Sequence, residues 1–423
     1  MKFSKYNYFV PFKRSFILFN GLSHKFMILS KNTAKKTENV FKSTKNFKDL
    51  SPIILNKFKN SMFIIEDDFD EHNYIKQKYD ESINRKYYTL SILPTYNCNF
   101  SCWYCWQKHL KETMSEEIVE KTKKHIELYL RKNEIKLFEL AWFGGEPLLQ
   151  FKKHIVNISR FAINLCNELN IKFFNSITTN GFLMNKTIVD QMKELHFSSF
   201  QITIDGDRDS HNKTRHDSNS SSFDIILKNI VYLLQELNYV RVTLRYNYTT
   251  ENLNINLIVN QLNEIIPPEL RNRIDFLPRK VWQIEDEKID NSIILKILKT
   301  ISKNGYNIEN PDIKSNFTAC YVERKHFNTI FHSGAVDKCS NIDPAAAKGY
   351  LNNDGEIIWN SENNFNLNNE CLPCVFLPLC MGGCSQHKDY YNKNNCFKCD
   401  YSEKFFYDMI VNYCEAIFLN QKR

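Results

Sequence analysis

Tyr88-Thr-Leu-Ser-Ile-Leu93, then Pro-Thr-Tyr-Asn, then Cys98-Asn-Phe-Ser-Cys102-Trp-Tyr-Cys105 is the stretch that organises the rest of the chain. Its opening run is short and rich in aromatic, branched and aliphatic residues, so a strand is predicted over 88–93. The three cysteines come directly after that strand, at the spacing CxxxCxxC. Three thiolates can hold a cubane 4Fe–4S cluster and leave one iron without a protein ligand, whereas such clusters ordinarily take four cysteines. A vacancy of this kind invites a ligand from outside the chain. The alternative is a zinc site with a nearby fourth ligand such as His109.

Downstream of the triplet, strands alternate with amphipathic helices. Helices are predicted over 115–132, 148–169, 185–195, 223–237, 251–265 and 291–303. Strands are predicted over 137–142, 171–177, 200–204, 240–245 and 274–277. With 88–93 this makes six βα units, and such alternation implies parallel strands joined by right-handed crossovers. Six units are too few for a closed eight-fold barrel, so a partial barrel or open sheet is expected. Chemistry in such sheets lies at the carboxyl ends of the strands.

Candidate binding residues fall at those ends. Gly144-Gly145-Glu146-Pro147 follows the second strand, and its glycines allow close backbone approach. Thr178-Thr179-Asn180-Gly181 ends the third. Gln201-Ile-Thr203-Ile-Asp205-Gly206 ends the fourth, with His211 and Arg215 behind it, and Arg245 and Asn247 end the fifth. Taken with CxxxCxxC and its aromatic Tyr104, this order resembles the radical S-adenosylmethionine (SAM) superfamily. The resemblance implies that Cys98, Cys102 and Cys105 bind the cluster that reductively cleaves SAM to a 5′-deoxyadenosyl radical, which abstracts hydrogen. It also implies SAM contacts from Gly144, Gly145, Glu146, Pro147, Thr179, Asn180, Thr203, Asp205 and Arg245. Thr203 would touch the ribose and Arg245 the methionine carboxylate.

Thirteen cysteines are present, three near residue 100, nine between Cys320 and Cys414, and Cys166 apart. Clustered thiols without an export signal point to metal ligation. Cys320, Gly334 and Cys339 are followed by Cys371-x2-Cys374-x5-Cys380-x3-Cys384, then by Cys396 and Cys399. This pattern resembles the SPASM extension of many radical SAM enzymes, which holds two auxiliary 4Fe–4S clusters, three clusters in all. By that resemblance Cys371, Cys374 and Cys380 ligate an outer cluster, completed by Cys396 or Cys399, and Cys320, Cys339 and Cys384 ligate an inner one. No cysteine lies just upstream of Cys320, so the inner cluster is expected to have an open iron, the alternative being that Cys399 or Cys414 folds back as a fourth ligand. A zinc ribbon is the alternative. Cys166 and Cys414 fall on amphipathic helices and read as core thiols. Anaerobic sulfatase maturases of this architecture carry an aspartate directly after the cysteine matching Cys339. Ser340 stands there in this chain.

Residues 1–85 hold no cysteine. Strands are predicted over 7–12, 16–19 and 26–29, with a hairpin at Asn20-Gly21, and helices over 33–41 and 52–63, the second opening on Ser51-Pro52. This outline resembles the small winged-helix-like α+β domain with which peptide-modifying enzymes grip a leader peptide. The expected class is therefore α/β, a partial (β/α)6 radical SAM barrel over 86–305. A leader-recognition domain over 1–85 precedes it and a SPASM domain over 306–423 follows. The expected function is maturation of a ribosomal precursor peptide, served by an external one-electron donor of flavodoxin or ferredoxin type. Sulfatase-maturase-like protein modification and a non-enzymatic zinc or electron-transfer protein are the alternatives.

Composition sets the outer bounds. The hydrophobic share of 43% and aromatic share of 14% suit a packed core rather than a disordered chain. The net charge of +8 is modest and no compact basic cluster appears, which argues against a nucleic-acid partner. No apolar run approaches the roughly 18 residues of a membrane span. The 16–19 run is too short for a signal-peptide core. A cytoplasmic protein without a membrane partner is expected.

Overall fold

The structure is a computed structural model that describes residues 1–42, 51–216, 221–284, 289–309, 313, 317, 320–361, 371–381 and 403–421. These residues pack as two compact units that do not follow chain order. One takes in 1–85, 310–325 and 364–422, and the other 86–309 and 326–363.

The first unit begins with β1 (Lys2–Phe3), β2 (Asn7–Phe12), β3 (Ser15–Asn20) and β4 (Phe26–Ser30). The last three form an antiparallel sheet in the order β2-β3-β4. Helices α1 (Lys31–Lys42) and α2 (Pro52–Asn60) follow, then β5 (Ile64–Ile65), which pairs with β1, and α3 (Glu71–Ile83). Ser51 caps α2 by accepting from the Ile54 amide, and Pro52 sits at its start, as the Ser-Pro pair predicts. The hairpin at Asn20-Gly21 is present but wider than a two-residue turn. The Asn20 side chain accepts from the amides of Leu22 and Ser23 and donates to Asn7 Oδ1 and the Met62 carbonyl, which ties the loop to the neighbouring segments. The tight turn lies instead at Lys13-Arg14, where Phe12 pairs with Ser15 and Lys13 takes a positive φ of 55°. Helix α3 escaped the sequence reading. Only Ile75, Tyr79 and Ser82 face inward, set among charged residues that dilute the helical period.

The second unit holds β6 (Tyr87–Leu93), α4 (Glu116–Lys132), β7 (Leu137–Trp142), α5 (Val156–Glu168), β8 (Lys172–Thr179), α6 (Lys186–Glu194), β9 (Phe197–Ile204), α7 (Arg208–Thr214), α8 (Ser222–Glu236), β10 (Arg241–Tyr248), α9 (Ile255–Ile265), α10 (Pro268–Arg271), β11 (Ile274–Lys280) and α11 (Asn291–Lys303). Strands β6 to β11 lie side by side in sequence order and are parallel throughout, the expected α/β arrangement. The helix predicted over 148–169 is three pieces. A 3₁₀ turn (Pro147–Gln150) and a π turn (Phe151–Ile155) precede α5, so the chain enters the helix through irregular geometry directly behind Gly144-Gly145-Glu146.

The sheet also runs past the six predicted strands. β12 (Asn307–Ile308) extends it beside β11. β13 (Phe327–Phe331) joins β6 in parallel and leads into the antiparallel β14 (Ala335–Asp337), β15 (Gly349–Leu351) and β16 (Ile357–Trp359). β13 is buried along its whole length, so its apolar side chains are satisfied by the sheet itself. The first unit closes with α12 (Leu377–Cys380) and α13 (Glu403–Gln421). Cys166 and Cys414 are buried within α5 and α13, as core thiols would be.

Candidate active site

The cysteine triplet occupies the long loop between β6 and α4. A bridge between Thr95 and Thr113 closes the base of that loop, and the Tyr96 amide and Thr95 hydroxyl both donate to the Glu112 carbonyl at 3.1 and 2.7 Å. Within it the Phe100 amide donates to Cys98 Sγ at 3.4 Å, and the Cys105 amide donates to the Cys102 carbonyl at 3.0 Å. Burial pushes the Cys98 thiol up to about 12, against the pull of the Phe100 amide, and burial also raises Cys102 and Cys105. Thiols held this way stay protonated until a cation reaches them, and metal coordination deprotonates a thiol outright. His109 Nε2 lies 3.3 Å from Cys105 Sγ. Among the described residues, no three His, Cys, Asp or Glu side chains are gathered as ligands of one ion. A cubane sets a different requirement, because each thiolate bonds its own iron.

The loop is clamped to the turn after β7. The Gly145 amide donates to Gln107 Oε1 at 2.8 Å, and the Glu146 amide donates to the Asn97 carbonyl at 2.9 Å. Only glycine fits at position 145, where φ is +49° and a Cβ would stand 2.2 Å from the Asn97 oxygen. The Glu146 carboxylate is fully buried. It accepts from the Leu148 amide, the Thr179 hydroxyl and the Asn180 amide, so it braces the tip of β7 against the tip of β8. Burial raises its pKa, while those three donors oppose the rise. Asn180 in turn donates to Asn99 inside the cysteine loop at 2.8 Å.

Tyr104 ties the same loop to the tips of β9 and β10. Its hydroxyl donates to Asp205 Oδ2 at 2.6 Å and accepts from Arg215 Nη1 at 2.7 Å and Asn247 Nδ2 at 3.0 Å. Asn247 also accepts from Arg245 Nε at 2.8 Å, and Thr203 lies opposite Arg245 in the β9–β10 register. Gln283 donates to the Tyr104 carbonyl. Burial raises the Asp205 pKa, opposed first by Arg215 and then by Tyr104. Burial disfavours the charge on Arg215, but Tyr104, Cys102 and Asp205 outweigh it and hold the guanidinium well above its ordinary value. The structure therefore brings together Cys98, Cys102, Cys105, Gly144 to Pro147, Thr179, Asn180, Thr203, Asp205 and Arg245 at the carboxyl ends of parallel strands, where ligands of such sheets bind.

Residues 92–254 match the Radical SAM superfamily, a span that runs from β6 to the start of the segment after β10. The chain carries a radical SAM domain. It is similar to the radical SAM cyclopropyl synthase TigE of Paramaledivibacter caminithermalis, 24% identical over 78% of this chain and 76% of that protein. It is also similar to a cysteine-type anaerobic sulfatase-maturating enzyme of Clostridium novyi, 30% identical over 32% of this chain and 37% of that enzyme. The structure described as native anSMEcpe with bound AdoMet and Kp18Cys peptide shares the fold, with a TM-score of 0.56 and 18% identity over 79% of this chain and all of that one. Members of the superfamily are enzymes, and so is this chain.

A radical SAM domain implies SAM and a 4Fe–4S cluster, and the residues of the site fit them. Three free thiols share one loop. Buried polar atoms without a hydrogen-bond partner lie in or beside that loop, namely Asn99 Nδ2, Gln107 Nε2, Asp205 Oδ1 and Arg215 Nε. Unpaired buried polar groups are costly, and a polar ligand relieves that cost. Asn99, Gln107 and Gln283 were missed in the sequence, because amide side chains in a loop carry no spacing signal. Of the tail cysteines, Cys320 and the segment with Cys371, Cys374 and Cys380 belong to the first unit, and Cys339 belongs to the second. Cys384, Cys396 and Cys399 lie outside the described residues.

Proposed function

We propose that this chain is a radical SAM maturase that takes hydrogen from a ribosomally made precursor peptide and installs a modification such as a cross-link. The observation that carries the reading is the clamped cysteine loop, with unpartnered polar atoms beside it at the carboxyl ends of the strands. Cys98, Cys102 and Cys105 would hold the cluster. The Gly144–Pro147 backbone, with Thr179, Asn180, Thr203, Asp205 and Arg245, would hold SAM. Once reduced by one electron, that pair supplies a 5′-deoxyadenosyl radical. The chain's own part is positioning. Glu146 fixes two strand tips, and Tyr104 keeps Asp205, Arg215 and Asn247 in one hydrogen-bonded set. Arg245 brings positive charge for a carboxylate.

The substrate class rests on kinship and on the rest of the chain. Relatives include a cyclopropyl synthase and sulfatase-maturating enzymes, and one similar fold is described with a bound peptide. Residues 1–85 would serve as a leader-recognition domain ahead of the barrel at 86–305. β4 is an edge of its sheet among the described residues, with Ile28 exposed, and an edge of this kind accepts a peptide strand. The tail over 306–423 would hold the two auxiliary clusters, three in all, and a flavodoxin or ferredoxin would supply electrons. No helix among the described residues is long and apolar enough to cross a membrane.

The test is anaerobic reduction of the iron-loaded protein with SAM, with and without a precursor peptide encoded beside its gene. The wild type should release 5′-deoxyadenosine and change the peptide's mass. Replacing Cys98, Cys102 and Cys105 with Ala should abolish both. Cleavage that survives the triple replacement would overturn the reading.

A further inference from the structure

The amino-terminal strands carry a second feature, away from the open edge of β4. Tyr8 of β2 donates its hydroxyl to the Val375 carbonyl at 2.5 Å, across 367 positions of sequence. Val375 lies between Cys374 and Phe376. The Phe376 amide donates to Cys374 Sγ at 3.4 Å, and the Leu377 and Cys380 amides close onto the Cys374 and Phe376 carbonyls at 3.2 Å each. The Phe376 ring lies parallel to Tyr8 at 5.8 Å and to Phe406 of α13 at 3.9 Å. Tyr8 thus holds the cysteine turn by both its ring and its hydroxyl.

Neighbouring residues close around the same turn. Tyr6, Leu22, Ile75, Tyr79, Leu377 and Met381 share a buried core against which Cys371 and Cys374 pack. Gly21 leaves little spare room, since a Cβ there would stand 3.2 Å from the Tyr8 ring and 3.3 Å from Pro378. The segment fits a cluster on its own chemistry. It holds three cysteines within ten residues, and an amide two positions on donates to one of them, as at Cys98.

We propose that Tyr8 is a positioning residue for an iron–sulfur cluster held by Cys371, Cys374 and Cys380, so that the amino-terminal strands form part of that cluster's housing. The inference rests on the three-cluster reading above. Tyr8 touches no reacting atom. It fixes the Val375 carbonyl and the Phe376 ring, and through them the direction of Cys374 Sγ. The cysteine-free start of the chain is then as necessary to the tail as the tail's own spacing.

The test uses the full-length chain with Cys98, Cys102 and Cys105 replaced by Ala, reconstituted with iron and sulfide, so that only tail clusters report. Tyr8→Phe keeps the ring and removes the hydroxyl. It should keep its iron but shift the electron paramagnetic resonance spectrum and the midpoint potential of one reduced cluster. Tyr8→Ala should lose one cubane, about four irons per chain. Unchanged iron, spectrum and potential in Tyr8→Phe, with unchanged iron in Tyr8→Ala, would overturn the proposal. If Tyr8→Ala fails to fold, Tyr8→Phe decides alone, and an unchanged spectrum and potential there also overturn it. If the triple variant binds no iron before Tyr8 is changed, the cluster reading of the tail falls, and the inference falls with it.

Discussion

The loop at Cys98–Cys105 and the turn at Cys371–Cys380 share one local device and differ in what supports it. In each, an amide two residues on donates to a cysteine sulfur, from Phe100 to Cys98 and from Phe376 to Cys374, both at 3.4 Å. Such a donor favours the thiolate over the thiol. The first loop is braced by strand tips from its own βα succession, through Gly145, Asn180 and Tyr104. The second is braced by the opposite end of the chain, through Tyr8 and Phe376. Cysteine spacing marks both candidate sites, but only the first has its support within its own βα succession.

The contrast is broken most severely at Gly145. An alanine there takes an unfavourable positive φ and drives its Cβ into the Asn97 oxygen, 2.2 Å away. The cysteine loop must shift, and misplacement by about 1 Å can cost about 100-fold in rate. Gly145→Ala is expected to lower 5′-deoxyadenosine formation by about 100-fold or more, while the iron of the proposed tail clusters is retained. Product chromatography and iron analysis measure the two arms. Equal loss of iron from both regions would show that they are not supported separately.

Phe376→Ala strikes the other region. It removes the middle ring of the stack with Tyr8 and Phe406. Truncating a fully buried phenylalanine costs about 3–5 kcal/mol, and this half-buried ring should cost about 2–3 kcal/mol. Hydrogen exchange should quicken in β2 and α13 and stay unchanged in β6 to β11. Quickening throughout would mean that the two units unfold together.

How much of this could be read beforehand follows from the same difference. The six parallel strands were legible because each is a short apolar run set between amphipathic helices, and the candidate site residues stand out because they fall at the ends of those strands. β13 was not, because Phe327-Asn-Thr-Ile-Phe331 reads as one more short strand in a cysteine-rich tail, and nothing local says that it pairs with β6. Glu146 stands out as a candidate site residue, but its role as a brace was not legible, because its partners Thr179 and Asn180 arrive from another strand. Tyr8 gave no sign at all, since its partner lies 367 positions away.

Tyr104→Phe tests a finer point of the first loop. The hydroxyl makes three hydrogen bonds, and its loss leaves Asp205, Arg215 and Asn247 each short of a partner. A buried polar group left unpaired costs about 1–3 kcal/mol, and some rearrangement among the three should hold the loss to about 1–2 kcal/mol. SAM affinity should fall about 10-fold, the equivalent of about 1.4 kcal/mol, with the bound iron retained. Equilibrium dialysis with labelled SAM reads the affinity. A loss of iron instead would make Tyr104 a support of the cysteines themselves rather than of the strand tips.

The smallest effect is expected at Lys13, and it separates ring packing from charge in the second region. Lys13 lies in the tight turn after β2, and its Nζ stands 3.1 Å from Glu415 of α13. This ion pair and the Tyr8–Phe376–Phe406 stack both join the start of the chain to its end. Lys13 is largely exposed, with 59% of its side chain in solvent, while Glu415 is largely buried, so water and salt screen the pair from the lysine side. Exposed pairs contribute about 0–1 kcal/mol, and Lys13→Ala should lower stability by no more than about 0.5 kcal/mol. Denaturant midpoints measured at low and high salt should differ little between Lys13→Ala and wild type, and less at high salt. A loss approaching that of Phe376→Ala would mean that charge, not ring packing, joins α13 to the amino-terminal strands.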